Sequence, residues 1–177
     1  MEIKKSDLKV LFNEEQLQTR VAQLGEELNK LYKGEEVTAI CVLKGAVLFA
    51  TDLIRHLDMP LKVEFIRLSS YGSATSTSGQ VNAVDIKLPD LNGKNVLIIE
   101  DIVDTGLTAK FLMDFMRANF NTKSVKFCSL LDKKITRKVD IEPDYYGFEI
   151  DDKFVVGYGL DYDGYFRNLK YIGYVEN

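Results

Sequence analysis

Leu17, Val21, Leu24, Leu28 and Leu31 recur at steps of four and three, which places them on one face of a helix, with Glu26, Glu27 and Lys30 off it. Beyond Gly34 the period changes. Residues 37–43, Val-Thr-Ala-Ile-Cys-Val-Leu, are β-rich and almost continuously apolar, as a strand buried on both faces should be. The pattern is helical again over 46–57, and 61–68 sets Val63, Phe65 and Ile66 against Lys62, Glu64 and Arg67 as in a strand. Residues 81–87 can form a short strand, and the Asn92-Gly93 turn leads into Val96-Leu97-Ile98-Ile99, the most buried-looking run in the chain. Ala109, Leu112, Met113, Phe115 and Met116 then mark a helix over 108–119, followed by strands at 124–131, 145–150, 154–158 and 171–175. Strands alternating with helices predict an α/β fold with a largely parallel sheet, and the strand-rich end predicts an appended hood or edge.

One stretch fits no element. Residues 69–79, Ser-Ser-Tyr-Gly-Ser-Ala-Thr-Ser-Thr-Ser-Gly, are too polar to pack a core. The chain has 177 residues, which favours one domain, so this stretch reads as a mobile lid or binding loop and not as a linker between two cores. The 46% hydrophobic and 28% charged content, with 12 Gly and 3 Pro, excludes a disordered or collagenous chain. A net charge of −4 argues against a free-standing nucleic-acid binder. Cys41 and Cys128 each sit in an apolar run, the pattern of buried thiols in a reducing compartment. A single histidine, His56, and the lack of any CxxC disfavour zinc chemistry, and His56 reads as structural. The polar start, Met1-Glu2-Ile3-Lys4-Lys5-Ser6-Asp7, holds no signal-peptide core, and no apolar run reaches the roughly 20 residues of a membrane span. These features predict a cytoplasmic protein with no membrane partner.

The candidate chemistry lies in Val96-Leu97-Ile98-Ile99-Glu100-Asp101-Ile102-Val103-Asp104-Thr105-Gly106-Leu107-Thr108. A buried strand delivers three carboxylates to its C-terminal end, where ligands bind in open α/β sheets. The Thr-Gly-x-Thr turn that follows suits a phosphate: Gly106 allows close approach, N–H groups at the helix start attract an anion, and Thr105 and Thr108 add hydroxyl donors. Acids beside a phosphate must face a sugar diol, a metal ion or a proton to be moved. Singly, Asp104 or Thr105 could be a helix cap and Glu100-Asp101 a solvated strand end; together they are more than that. The chain has no GxxxxGK[ST] loop, and Gly157-Tyr158-Gly159 lacks the third glycine of a dinucleotide fingerprint.

The segment 96–108 resembles the signature by which phosphoribosyltransferases bind 5-phosphoribosyl 1-diphosphate, in the form found in hypoxanthine-guanine phosphoribosyltransferases. Leu43-Lys44-Gly45 is similar to that family's pyrophosphate loop, Ser70-Tyr71 to its flexible catalytic loop, and Lys133 to its purine-reading lysine. Residues 147–167, which hold Phe154-Val155, Asp161 and Arg167, are similar to its base and metal segment. The resemblance implies the type I phosphoribosyltransferase fold as a single domain over 1–177. Its core would span about 37–150 and its mobile loop 69–79, with a hood from the N-terminal segment and about 151–177. It implies transfer of ribosyl phosphate to N9 of a 6-oxopurine with Mg²⁺ bound. Glu100 and Asp101 would hold the ribose hydroxyls directly or through Mg²⁺, with Asp161 as a further metal ligand. Thr105, Gly106, Leu107 and Thr108 would bind the 5-phosphate, and Lys44, Gly45 and Arg167 the pyrophosphate. Asp104 would exchange a proton with N7, Lys133 would donate to O6, Phe154 would stack on the purine, and Val155 and Asp161 would read its edge. Ser70 and Tyr71 would close over the reaction centre.

Apart from the resemblance, Phe154 reads as half core and the run Lys133-Lys134-Ile135-Thr136-Arg137-Lys138 as a solvated face. Two departures stand out: Leu107 where many relatives carry lysine, and Ala46 where a second glycine is frequent. The alternatives are a xanthine-preferring relative and an RNA-binding regulator on the same fold, the latter disfavoured by the acidic balance and the intact Asp104 and Lys133. Relatives form homodimers or homotetramers.

Overall fold

The computed structural model describes residues 4–70 and 81–176. In chain order its elements are β1 (Leu8–Phe12), α1 (Glu14–Leu31), β2 (Val37–Leu43), α2 (Val47–Ile54), β3 (Leu61–Ser70), β4 (Val81–Asp85), β5 (Asn95–Val103), α3 (Leu107–Asn119), β6 (Ser124–Asp132), β7 (Tyr145–Glu149), β8 (Val155–Val156) and β9 (Ile172–Val175). The order β4-β3-β2-β5-β6-β7 makes the main sheet, parallel from β3 to β7, with β4 antiparallel on one edge. The expected α/β class and parallel sheet are therefore present.

The continuous apolar runs follow from burial on both faces. Ala39, Cys41, Leu97 and Ile99 point into a core shared with α1 and α2, whereas Ile40, Val42, Val96 and Ile98 point into a second core closed by Ala109, Leu112 and Met116 of α3. Successive side chains on a strand face opposite ways, so a strand between two helical layers has no polar side. The connection from β2 runs through α2 to β3 on one side, and that from β5 runs through α3 to β6 on the other. The adjacent C-terminal ends of β2 and β5 thus form a topological switch point, the crevice where such sheets bind ligands.

A second sheet, β1-β9-β8, is antiparallel and joins the two ends of the described chain. The apolar periodicity does not announce β1; its strand partner is some 160 residues away in sequence, and its burial is mixed. Helix α1 begins earlier than its first apolar position because Asn13 and Gln16 form a reciprocal cap, each side chain accepting from the other's backbone N–H at 2.9 Å. On the edge strand β7, the carbonyls of Tyr146 and Gly147 are covered by Arg20 of α1, which donates to them at 2.7 and 2.9 Å. His56 packs its Cβ against Gly25, where a glycine Cβ would lie 2.5 Å away, and its carbonyl accepts from Asn29. Among the described residues no helix is long and apolar enough to cross a membrane.

Cys41 and Cys128 are free and buried. Burial, then the charges of Glu100 and Asp101, push the Cys41 thiol up to about 12, and burial pushes Cys128 up as well. Since the thiolate is the reactive form, raising the pH to 9 should leave both unlabelled by iodoacetamide in the native protein and label both in denaturant. Rapid native labelling, read by mass spectrometry, would contradict this burial.

Candidate active site

Strand β5 runs past the apolar Val96-Ile99 stretch to Val103, so Glu100 and Asp101 lie within the strand at the switch point and not beyond its end. Pairing to β6 holds this extension, with Glu100 opposite Ser129 and Val103 opposite Asp132. Glu100 is 8% exposed, and its Oε2 has no partner among the described residues. Beside it, Asp101 Oδ1 accepts from the Ile102 N–H at 2.9 Å. Burial, reinforced by the Asp101 charge, pushes Glu100 well above the ordinary carboxylate range, and burial raises Asp101 too. Across the crevice, the loop after β2 brings Gly45 so close that a Cβ there would land on the Asp101 carboxylate. The Leu43–Lys44 peptide is cis, and Lys44 is exposed.

Residues 100–106, 108 and 109 line a concave pocket of about 220 Å³. Gly106 caps α3 in the left-handed region at φ 81°, and a Cβ there would meet Arg137 Cδ at 2.7 Å and Ile141 Cγ2 at 2.8 Å. Leu107 is not in the lining. Opposite the pocket, the segment after β6 braces the turn: Lys133 N–H donates to the Val103 carbonyl at 3.0 Å, Arg137 Nε to that of Asp104 at 3.1 Å, and Lys138 N–H to that of Thr105 at 2.9 Å. Thr136 Oγ1 meets Asp104 Oδ1 closely and also lies 3.1 Å from the Lys133 carbonyl.

Lys133 is buried and pairs with Asp152 Oδ1 at 2.8 Å, so the solvated-face reading of its basic run fails at this position. The 3₁₀ turn of residues Lys134–Thr136 bends the chain back toward β5 and takes Lys133 and Arg137 out of solvent. Phe154 is 55% exposed, against the half-core expectation: strand pairing covers Val155 and Val156 but not Phe154, whose ring meets Tyr162 edge-on, 5.9 Å between centroids. Val155 is buried. Arg167 Nη2 pairs with Asp161 Oδ1 at 2.6 Å, while Asp161 Oδ2 accepts from the Gly164 N–H at 2.7 Å. Among the described residues, Asp161 does not join Glu100 and Asp101 in one three-carboxylate cluster. Arg167 also donates to the Gly159 carbonyl at 2.7 Å, and Gly159 abuts the Gly45 carbonyl, which links this loop to the crevice. Tyr158 Oη donates to Asp52 of α2 at 2.5 Å and ties the same loop to the core. Ser70 ends β3, whereas Tyr71 and the rest of the expected mobile loop lie outside the described residues.

Sequence reasoning missed Asp52, Asp132, Thr136, Arg137 and Asp152. No motif pattern marks them, because each acts by reaching a group distant in the chain or by bending back across a turn. Lys133 pairs with Asp152 in a later loop, and Arg137 reaches back to Asp132 at the end of β6, neither of which spacing alone connects.

Comparison with known proteins bears directly on this arrangement. Residues 9–163 match the phosphoribosyl transferase domain family. The chain is 47% identical over 168 residues to hypoxanthine-guanine phosphoribosyltransferase of Bacillus subtilis, covering 95% of this chain and 93% of that one. It is 44% identical over 182 residues to the Mycobacterium tuberculosis protein of the same name, covering 99% and 90%. A crystal structure of a hypoxanthine phosphoribosyltransferase from Staphylococcus aureus superposes with a TM-score of 0.91 at 41% identity, covering 97% of this chain and 93% of that one. A pocket that joins the adjacent acids Glu100 and Asp101 to a helix-start turn, at the switch point of a parallel sheet, thus sits in a chain that belongs to the phosphoribosyltransferase family.

Proposed function

We propose that the protein transfers 5-phosphoribosyl from 5-phosphoribosyl 1-diphosphate to N9 of hypoxanthine, and of guanine, releasing pyrophosphate in purine salvage. The observation that carries this reading is one pocket lined by buried Glu100 and by Asp101, Asp104, Thr105, Gly106 and Thr108. The N–H groups at the start of α3, with the Thr105 and Thr108 hydroxyls, bind the 5-phosphate. Glu100 and Asp101 face the ribose diol. Asp104 offers the carboxylate oxygen not met by Thr136 to N7 and holds the proton there, a role typically worth roughly 10²–10⁴-fold. Lys44, the Gly45 backbone and Arg167 receive the pyrophosphate; Arg167 must exchange its Asp161 partner to do so.

Mg²⁺ suits this donor set, since hard carboxylate oxygens are its preferred protein ligands and Glu100 Oε2 is buried without a partner among the described residues. Glu100 and Asp101 would hold it, with Asp161 nearer the pyrophosphate, and it would neutralise charge on the diphosphate. Phe154 is exposed and free to stack on a flat base, an interaction worth about 1–3 kcal/mol in nucleic-acid sites. The Val155 backbone and Asp161 read the base edge. The sheet β1-β9-β8 serves as the hood of a single domain. Two free, buried thiols support a cytoplasmic, reducing location, and the proposed partners are small molecules and no nucleic acid. It assembles as a homodimer or homotetramer, an assignment supported by exposed Phe65 on the part of β3 that β4 leaves unpaired.

Steady-state turnover of hypoxanthine, guanine, xanthine and adenine with Mg²⁺ present tests the reading. Hypoxanthine and guanine should turn over and adenine should not, because Lys133 would face a second donor at a 6-amino group. Lys133→Ala should narrow the hypoxanthine-to-adenine ratio of kcat/KM. A preference for xanthine would select the xanthine enzyme, and no turnover of any base, with RNA retained on filters at low salt, would select the regulator.

A further inference from the structure

The backbone carbonyls of Val103, Asp104 and Thr105 are all engaged on the side away from the pocket. Val103 accepts from Lys133 N–H at 3.0 Å and from Arg137 Nη2 at 3.3 Å, Asp104 from Arg137 Nε at 3.1 Å, and Thr105 from Lys138 N–H at 2.9 Å. In a planar trans peptide the C=O of one residue and the N–H of the next point in opposite directions. Holding these three carbonyls therefore aims the N–H groups of Asp104, Thr105 and Gly106 the other way, toward the pocket. None of the three donates to another group among the described residues.

We infer that Arg137, fixed by Asp132, is a positioning residue that pre-organises the 5-phosphate turn. The guanidinium reaches two of the three carbonyls, and its remaining fork is held by the Ile141 carbonyl and by Asp132 Oδ1. Asp132 is fully buried, and the Arg137 side chain is only 13% exposed. Its Cδ also lies against Gly106, so the stem packs under the turn that the fork braces. A planar five-donor group can hold several divergent acceptors at once, which an ammonium cannot. Donors held in place before the anion arrives lose less freedom when it binds. The inference rests on the proposal that the turn 105–108 binds the 5-phosphate.

Arg137→Ala would leave the Asp132 carboxylate buried without its partner. The test therefore uses Arg137→Lys, which keeps the charge, and the double variant Asp132→Asn with Arg137→Gln, which keeps a neutral pair. Thr105→Ala serves as the comparison. KM for 5-phosphoribosyl 1-diphosphate, KM for hypoxanthine, kcat and Tm are measured for each. The expected result is a rise of about tenfold or more in the 5-phosphoribosyl 1-diphosphate KM of both Arg137 variants, the scale of one lost hydrogen bond to a charged ligand, with the hypoxanthine KM within twofold. If Thr105→Ala raises that KM and the Arg137 variants do not, the positioning role is overturned and the phosphate reading stands. If none of the variants changes it, the phosphate reading itself fails and the inference falls with it. A uniform loss in both KM values and kcat that follows Tm would assign Arg137 a purely structural part and would also overturn the proposal.

Discussion

Asp104→Ala should lower kcat with hypoxanthine by about 10²–10⁴-fold, the usual share of a positioned acid or base. Binding of 5-phosphoribosyl 1-diphosphate, measured by calorimetry, should stay within about threefold, well under the factor of ten that 1.4 kcal/mol represents. The asymmetry follows from how the turn is held. Arg137 and Lys133 grip the main chain at Asp104 and Val103, so truncating the Asp104 side chain beyond Cβ removes none of those bonds. Thr136 loses one partner but retains the Lys133 carbonyl at 3.1 Å. Turnover equal to the unaltered enzyme would remove Asp104 from the proton-transfer role. Equal losses in turnover and substrate binding would show that the side chain holds the turn, against the geometry.

Gly159→Ala carries the largest expected structural effect. Its φ of 103° is a region that L side chains rarely adopt, and a Cβ would be driven into the Gly45 carbonyl. The strained backbone and the overlap together should cost roughly 3 kcal/mol or more. For a chain of this size that corresponds to a fall in Tm of roughly 6–12 °C. Because the displaced neighbour is the loop proposed to receive pyrophosphate, the KM for 5-phosphoribosyl 1-diphosphate should rise as well. Gly164→Ala is the control: its φ of 83° imposes a similar backbone cost, but nothing lies within 4 Å of its Cβ position. A smaller loss of about 1–2 kcal/mol is expected there, from the backbone alone. Equal effects of the two substitutions on Tm would mean that the Gly159–Gly45 contact has no energetic role.

Much of the central architecture is legible from local pattern. The helical period of 17–31 and the apolar runs at 37–43 and 96–99 became α1, β2 and the first half of β5, because an element buried on one or both faces must carry that pattern. The motif 100–108 is equally legible, since a turn that approaches a phosphate closely needs glycine and hydroxyls at adjacent positions. The boundaries were less so. Polar Glu100 and Asp101 interrupt the apolar signal, yet β5 continues through them because β6 offers its backbone a partner as far as Asp132. The helix expected over 46–57 ends at Ile54, where the chain tightens into turns such as His56 N–H to the Leu53 carbonyl.

What the sequence determined by itself was therefore the identity of the elements and the chemistry gathered in one contiguous segment. Periodicity and turn composition act over a few residues, and those signals survive without knowledge of the fold. Only the tertiary structure decided which distant groups support that segment. Arg137 reads as one cation in a basic run until the turn after β6 folds back and sets its fork on the Asp104 and Val103 carbonyls. Lys133 reads as solvated until the fold buries it and sets its ammonium against the exposed Asp152. Gly159 is legible only as part of an incomplete Gly-x-Gly pattern until Gly45, more than a hundred residues earlier, presses its carbonyl against it. In each case the deciding interaction is a hydrogen bond or close contact whose partner is set by chain path, and no local pattern of side chains encodes that path.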